Sequence, residues 1–538
     1  MSELLARARA ELRPDQPETI LPLLVKAYRE MEALRDPWVG VKRKELLHAI
    51  ELAAGLWLDA EAERWDVVPG SSLSVTLQAL NRSRFPLVWD GVEVTGVARA
   101  TVPAIGTLLV YNAPEKNKVS VSLPAQTPYS QPFWLREPRT GDSYTVDDPA
   151  LIGCPDSPPA LEAVFTLRAE SGPKLLYRIP VHYRWVDRVS GEQVRPVEIV
   201  PPVSVTFALP SIIFPEAKAR RVLLRVTAVA GAAKGSVSLD LPSGWKATPA
   251  AAAFELSDRE QQASLPFEVT PPAVSAGGHA TARAEVGGVT VSTGLVTIHY
   301  PHIPPPTLFA GARARLERFD ARLTARNIGY VMGAGDEVPQ ALEQLGATVR
   351  LLSAEDLAAG DLSRFDAIVT GVRAVNVRPD LVAERQRLLE YVETGGTLVV
   401  QYNTLDGFGP VAATGRSAAQ IAPYPLTPSN NRVSVEEAPV TFPNPDLPVL
   451  HRPNEITARD FEGWVQERGL YFMSRWDERY KPVFACNDPG EPPRLGGTLF
   501  ARYGKGVFIY TGYSWFRELP AGVPGAYRIF ANLVSAGK

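Results

Sequence analysis

Cysteine is scarce in this chain: Cys154 and Cys486 are the two in 538 residues. Two distant cysteines make no disulfide framework, and a zinc site built on cysteine is excluded by count. Long apolar runs are missing too. No window reaches the roughly 18 residues that a membrane helix needs. Charge of one sign is missing: the net charge is -3, and no basic run interleaves with aromatics, so neither nucleic acid nor an acidic membrane is expected as a partner. The first residues, MSELLARARAELRPDQPE, are charged throughout and lack the apolar core of a secretory signal. A cytoplasmic location follows if Met1 is the true start, and export stays open if the chain is a fragment.

Catalytic signatures are also lacking. There is no GxSxG; SGW at 243–245 and TGYSWF at 511–516 do not have that form. GAGDE, 333–337, follows a strand but has Val338 where a dinucleotide fingerprint needs its third glycine, and it reads as a plain strand–helix turn. His299 and His302 form an HxxH in a proline-rich stretch without a third ligand or a fixed scaffold, a weak zinc signal. His182 reads as a surface or half-buried strand position. Asp147 and Asp148, in TVDDPA, read as a turn or cap. Cys486, in VFACNDPG, stands in no strand–elbow–helix context and reads as an inert thiol.

What is present is ordinary globular protein, 45% hydrophobic and 21% charged, with 49 prolines. The length implies three or four domains. Residues 1–64 read as a helical docking segment. Leu23, Ala27, Met31 and Leu34 share one face, and Leu46, Ile50, Ala53 and Trp57 share another. Two helices cannot bury both stripes against each other, so an outside surface is expected to cover them. From 65 to 210 the period is two, as in SLSVTLQAL, AVFTLRA and VSVTFAL, which predicts a β-sandwich. A smaller sandwich is expected over 211–302, then a linker at 303–324 that begins in HYPHIPPP. From 325 to 538, Val- and Ile-rich strands alternate with amphipathic helices. This predicts an α/β domain with a mostly parallel sheet. The fold class is therefore a mixed multidomain chain: a short helical segment, two β-sandwiches and an α/β domain.

In open α/β sheets the ligand sits at the strand ends. Those ends supply Arg373 and Asn376 in TGVRAVN, Gln401, Tyr402 and Asn403 in VQYN, and Tyr513, Trp515 and Arg517 in TGYSWFR. Arginines, amides and aromatic rings suit a sugar or a carboxylate. The competing reading is that these groups bond loops to one another or grip a neighbouring domain.

Taken in order, DPWVGVKRKELLHAIELAAGLWLDA, VVPGSSLSVTLQALNRS and YSQPFWLREPRTGDSYTVDDPALIG resemble the region that follows the catalytic domain in bacterial PIG-L (LmbE-like) deacetylases. DLPSGWKATP resembles the small sandwich associated with α-galactosidases. FDAIVTGVRAVN, LVVQYNT and YTGYSWFRELPAGVPGAYRIFANLVS resemble a class I glutamine amidotransferase-like domain, which implies a flavodoxin-like sheet. PIG-L enzymes are zinc-dependent hydrolases of N-acetyl groups and carry an AHPDDE-like motif, in which a His and an Asp bind zinc and a neighbouring Asp acts as base. No such motif occurs here. The resemblance therefore implies a non-catalytic accessory region, with no catalytic residue and no cofactor of its own, and with zinc expected only in a catalytic domain outside this chain. The implied partners are that deacetylase domain, in cis or in trans, and carbohydrate. The helices of 1–64 are expected to dock on that domain. In amidotransferases a nucleophilic Cys stands at the elbow after the strand that aligns with TLVVQYN; here Tyr402 or Asn403 holds that place, which implies a degenerate active site. The alternative is a stand-alone enzyme or ligand-binding protein that uses Arg373, Tyr402 and Arg517.

Overall fold

The computed structural model describes residues 1–102, 105–169, 172–405 and 415–538. The chain is multidomain and rich in β-sheet.

Three helices lead, Ser2–Glu11, Leu21–Met31 and Val39–Ala54. The third stops where Gly55 takes a left-handed φ of 54° and Leu56 N–H turns back to the Glu51 carbonyl. The helical segment thus ends ten residues before the expected boundary at 64. Trp57 opens the first strand, Trp57–Ala62, which pairs antiparallel with Ser72–Leu80. The signal was the glycine in AAGLW, which a periodicity count steps over.

The helices are covered by the chain's own first sandwich. Leu21, Leu24, Tyr28, Met31, Leu46 and Ile50 share one hydrophobic core with Leu58, Leu73, Val75, Trp89 and Phe165 of the first sandwich. This corrects the expectation that the helices dock on a domain outside the chain. Most of their stripe is buried on the chain's own strands, while Leu34 at its end stays exposed.

That sandwich consists of two sheets. One runs Gly191–Pro196, His182–Asp187, Trp57–Ala62, Ser72–Leu80 and Glu115–Ser122. The other centres on Leu87–Gly96 and Leu161–Ala169. The second sandwich runs wider than 211–302. Val203–Phe207, expected in the first, pairs with Arg220–Ala228 and packs in the second core. The expected linker at 303–324 contains Thr307–Gly311 and Arg313–Arg318, both paired strands. HYPHIPPP is the connection of the hairpin Thr293–Thr297/Thr307–Gly311. Alternation marks a strand but does not name its partner, so both boundaries slipped.

The last domain is built on seven strands: β1 (Asn327–Val331), β2 (Thr348–Leu351), β3 (Ala367–Thr370), β4 (Thr397–Gln401), β5 (Lys481–Pro482), β6 (Thr498–Tyr503) and β7 (Gly506–Thr511). Their order is β2-β1-β3-β4-β7-β6-β5. The first five in that order are parallel, and β6 and β5 are antiparallel additions. Alternate residues serve opposite faces. Tyr330, Val369, Val399 and Ile509 pack with α1 (Val338–Gln344) and α3 (Pro524–Val534). Ile368, Leu398, Val400 and Phe508 pack with α2 (Arg385–Glu393). Both faces are covered, which is why these strands read as continuous apolar runs. GLYFMSRW does not join this sheet: Gly469–Phe472 and Arg475–Trp476 pair with short strands elsewhere.

The second sandwich grips this domain below the strand-end loops. Ser211 Oγ donates to the Pro520 carbonyl at 2.6 Å, Ile213 N–H to Gln344 Oε1 at 3.0 Å, and Arg315 to the Ala521 carbonyl at 3.2 Å.

Ile50 is fully buried where the third helix meets the sandwich. Ile50→Ala is expected to cost about 2–5 kcal/mol, read as a lower urea midpoint of the whole chain. An unchanged midpoint would mean that the helices do not belong to this core.

Candidate functional site

Four parallel strands end side by side, and their following loops form a cleft of about 580 Å³. After β1 come Gly335, Asp336 and Glu337; after β3, Val372 and Arg373; after β4, Tyr402; after β7, Phe516 and Arg517. Gln466, Glu467 and Leu470 close one side. β1 and β3 are where the strand order reverses, and in such sheets a crevice opens at that point.

The glycines of GAGDE serve the meeting of two loops. A Cβ on Gly333 would lie 2.1 Å from the Val372 carbonyl oxygen, and Gly335 has φ 106°. Asp336 fastens the same loops. One of its oxygens accepts from Tyr330 Oη at 2.6 Å and Val338 N–H at 3.1 Å, the other from Val372 N–H at 3.2 Å.

Of the expected site residues, Arg373, Tyr402 and Arg517 line this cleft. Arg373 holds a left-handed φ of 57° and donates its N–H to the Tyr402 carbonyl at 2.9 Å. Such a backbone in a non-glycine residue costs of order 1–3 kcal/mol and gathers at functional sites. Its Nε is buried without a hydrogen-bond partner. Among the described residues neither Arg373 nor Arg517 has a carboxylate partner, though Arg517 lies 5.1 Å over the Phe516 ring. Tyr402 sits between Tyr471 and Phe516, each 5.4 Å away centroid to centroid. Burial pushes its phenol up to about 12 while the neighbouring Arg373 charge pulls the other way, so near neutral pH it is a hydrogen-bond donor and not a nucleophile.

The other expected site residues are structural. Asn376 accepts from Thr404 N–H at 3.0 Å and donates to the Thr404 and Arg416 carbonyls. Asn403 accepts from Val375 N–H at 2.9 Å and donates to the Gln401 carbonyl. Gln401 donates to Tyr330 Oη at 3.0 Å. Trp515 is fully buried, its indole N–H on Thr511 Oγ1 at 2.7 Å. Tyr513 stacks on Phe472 and Trp515, its Oη 3.1 Å from Cys486 Sγ. The reason for the split is local. Trp515–Glu518 is a helical turn, so Trp515 turns inward while Phe516 and Arg517 face the cleft. Residues 406–414, including the GFGP of the same stretch, lie outside the described residues.

Gln466, Glu467, Leu470 and Phe516 escaped the sequence reading, as did the site role of Asp336 and Glu337. GAGDE stood at a strand end and carried the signal. The 465–470 segment comes from a loop outside the sheet and carried none. It is held by Glu518, fully buried, which accepts from Val465 and Gln466 N–H at 3.0 Å each.

Cys486 is buried, which pushes its thiol up to about 11, as suits an inert group. Asp148 caps a short turn through Ala150 N–H. His182 is half-buried beside Asp59 and Arg184. Among the described residues no three His, Cys, Asp or Glu side chains gather as a metal site, and no helix is long and apolar enough to cross a membrane.

No family model matches the chain, and no curated protein matches it either. Similar solved structures include the alpha-2-macroglobulin of E. coli, at 12% identity and TM-score 0.18 over 49% of this chain and 17% of that one. A Salmonella alpha-2-macroglobulin mutant matches at 10% identity and TM-score 0.18, over 50% and 17%. The D0–D1 domain of intimin matches at 11% identity and TM-score 0.15, over 48% and 97%. The chain thus spans under a fifth of each macroglobulin. Likeness at these scores carries no argument about the site.

Two outcomes are expected. Gly333→Ala meets a backbone oxygen that has no side chain to yield, so it should cost about 3 kcal/mol and part the loops after β1 and β3, seen as a lower melting temperature. Burial pushes the Glu518 carboxyl from 4.5 up to about 7, against its two N–H donors. A carboxyl raised in the folded state contributes stability that is present below pH 4.5 and lost as pH rises through about 7. Urea midpoints should fall across that window, and Glu518→Gln should flatten the fall. An unaltered profile in Glu518→Gln would assign the window to other groups.

Proposed function

We propose that this chain is a non-catalytic accessory region whose flavodoxin-like, amidotransferase-like C-terminal domain binds a small polar ligand in the strand-end cleft. The observation that carries this reading is the placing of Arg373, Tyr402 and Arg517, from three different strand ends, around one cavity, with neither guanidinium paired to a carboxylate among the described residues. A guanidinium offers a planar fork of donors that fits paired hydroxyls, an acetamide carbonyl or a carboxylate. Tyr402 and Phe516 supply ring surface, and the Tyr402 phenol adds a donor. Those groups suit a sugar or a carboxylate. In line with the resemblance to PIG-L proteins, the ligand is an N-acetylated sugar, and the chain presents it to a PIG-L-type deacetylase in cis or in trans.

Isothermal titration of the chain with N-acetylglucosamine is expected to show saturable binding. Arg373→Ala and Arg517→Ala should each weaken it at least tenfold. No saturable binding at millimolar sugar, or equal binding by both variants, sinks the reading. The pairing has its own test. The chain, added to a PIG-L-type deacetylase, should lower KM for the sugar, and the doubly substituted chain should not. An unchanged KM separates the chain from that partner.

A second reading, a stand-alone enzyme, has one observation in its favour. Glu337, in the loop after β1, and Glu467, in the loop that closes one side, line the cleft and supply carboxylates. It requires turnover by the chain alone, lost in Glu467→Gln and in Arg373→Ala.

A further inference from the structure

The two sandwiches flank a second, open cavity, about 380 Å³, well away from the strand-end cleft in sequence and built of different elements. Its floor is the outer face of the sheet Val203–Phe207, Arg220–Ala228 and Gln262–Thr270. Pairing register sets that face. Thr206 lies opposite Arg225, Ser204 opposite Thr227, and Thr227 opposite Gln262, while Val205 and Val226 point the other way into the core. One wall is the hairpin Thr293–Thr297/Thr307–Gly311, which brings Leu295 and Thr297. It is pinned to the floor by Leu295 N–H on Ser204 Oγ at 2.8 Å. It lies so close that a Cβ on Gly294 would stand 2.6 Å from Thr206 Cγ2. The facing wall is Trp65 of the first sandwich, with the Arg195 guanidinium 3.6 Å over its ring.

The outer face of a sandwich sheet is ordinarily open to water. Here it is walled on two sides by elements fixed in place. Among the described residues the side chains of Thr206, Arg225, Thr227, Gln262 and Thr297 make no hydrogen bond to the protein, although they line one cavity. The charges at the cavity are three. Arg259 is committed to fully buried Asp66 through contacts of 3.0 and 2.9 Å. Glu260 leans on Arg259 at 3.9 Å, on a backbone of φ 63°. Among the described residues, Arg225 is the cation at the cavity without a counter-charge.

We infer that this cavity is a second ligand site, taking a sugar-sized polyhydroxylated molecule that carries one carboxylate, an acidic monosaccharide free or at the end of a glycan. Arg225 pairs with the carboxylate, and the threonine hydroxyls and Gln262 amide exchange hydrogen bonds with ring hydroxyls. The site does not depend on the reading of the strand-end cleft.

Titrating the whole chain with D-glucuronate, followed by the indole N–H resonance of Trp65, tests it, with D-glucose as the neutral control. The expected result is saturable binding of glucuronate, at least tenfold weaker binding of glucose, and at least tenfold weaker glucuronate binding by Arg225→Ala. Arg225 is exposed, so that variant should keep the parent melting temperature. Gln262→Ala should weaken binding as well, whereas Arg373→Ala and Arg517→Ala should leave it unchanged. Absent saturable binding, glucose bound as tightly as glucuronate, or binding indifferent to Arg225→Ala would each overturn the site. Loss in the Arg373 and Arg517 variants would move the ligand to the cleft and overturn it too.

Discussion

One carboxylate holds the strand ends together. Asp336 takes the Tyr330 hydroxyl and two backbone N–H groups, one from its own turn and one from the loop after β3. Tyr330 in turn accepts from Gln401 at the end of β4, and Gln401 also donates to the Thr370 carbonyl of β3. This buried chain ties β1, β3 and β4 at one level. It is why Arg373 and Tyr402 stand where they do. Burial first, and the Asp336 charge second, hold the Tyr330 phenol far above its ordinary pKa, so its proton stays on and the chain of donors keeps its direction. A network in which each member serves a neighbour favours a single arrangement more strongly than separate bonds would.

The rest of the molecule builds outward from that sheet by contact of neighbours. The second sandwich locks to it through Ser211, Ile213 and Arg315, beneath the Pro520 edge of the cleft. The first sandwich meets the second where Arg195 is shared among Glu198, Thr307 and the Trp65 ring. The leading helices close the far side of the first sandwich with their own apolar stripe. The cavities lie where the elements meet: one among the loops at the strand ends, one between the sandwiches.

Much of this was legible from the chain. The Val- and Ile-rich runs at 327–331, 367–370 and 397–401 declared a sheet buried on both faces, and the observed parallel strands lie there. Strand-end logic pointed to Arg373, Tyr402 and Arg517, which line the cleft. The same logic took in Asn376, Asn403 and Gln401, because a sequence does not say whether a polar side chain at a turn faces a cavity or its own backbone. It took in Trp515 and Tyr513 because the helical turn after β7 was not foreseen. The domain boundaries slipped for a different reason. Val203–Phe207 and Arg313–Arg318 look like any half-buried strands, and their allegiance is set by partners far along the chain. Glu467 lay beyond reach, since its loop comes to the cleft through bonds to Glu518, Ser514 and Gly512 that no local pattern announces.

The measurement closest to the central claim is a crystal structure of the chain soaked with N-acetylglucosamine. The account predicts density for the sugar between the Arg373 and Arg517 guanidinium groups, against the Tyr402 and Phe516 rings. A cleft holding only water at saturating sugar, or sugar seated elsewhere on the chain, would contradict it.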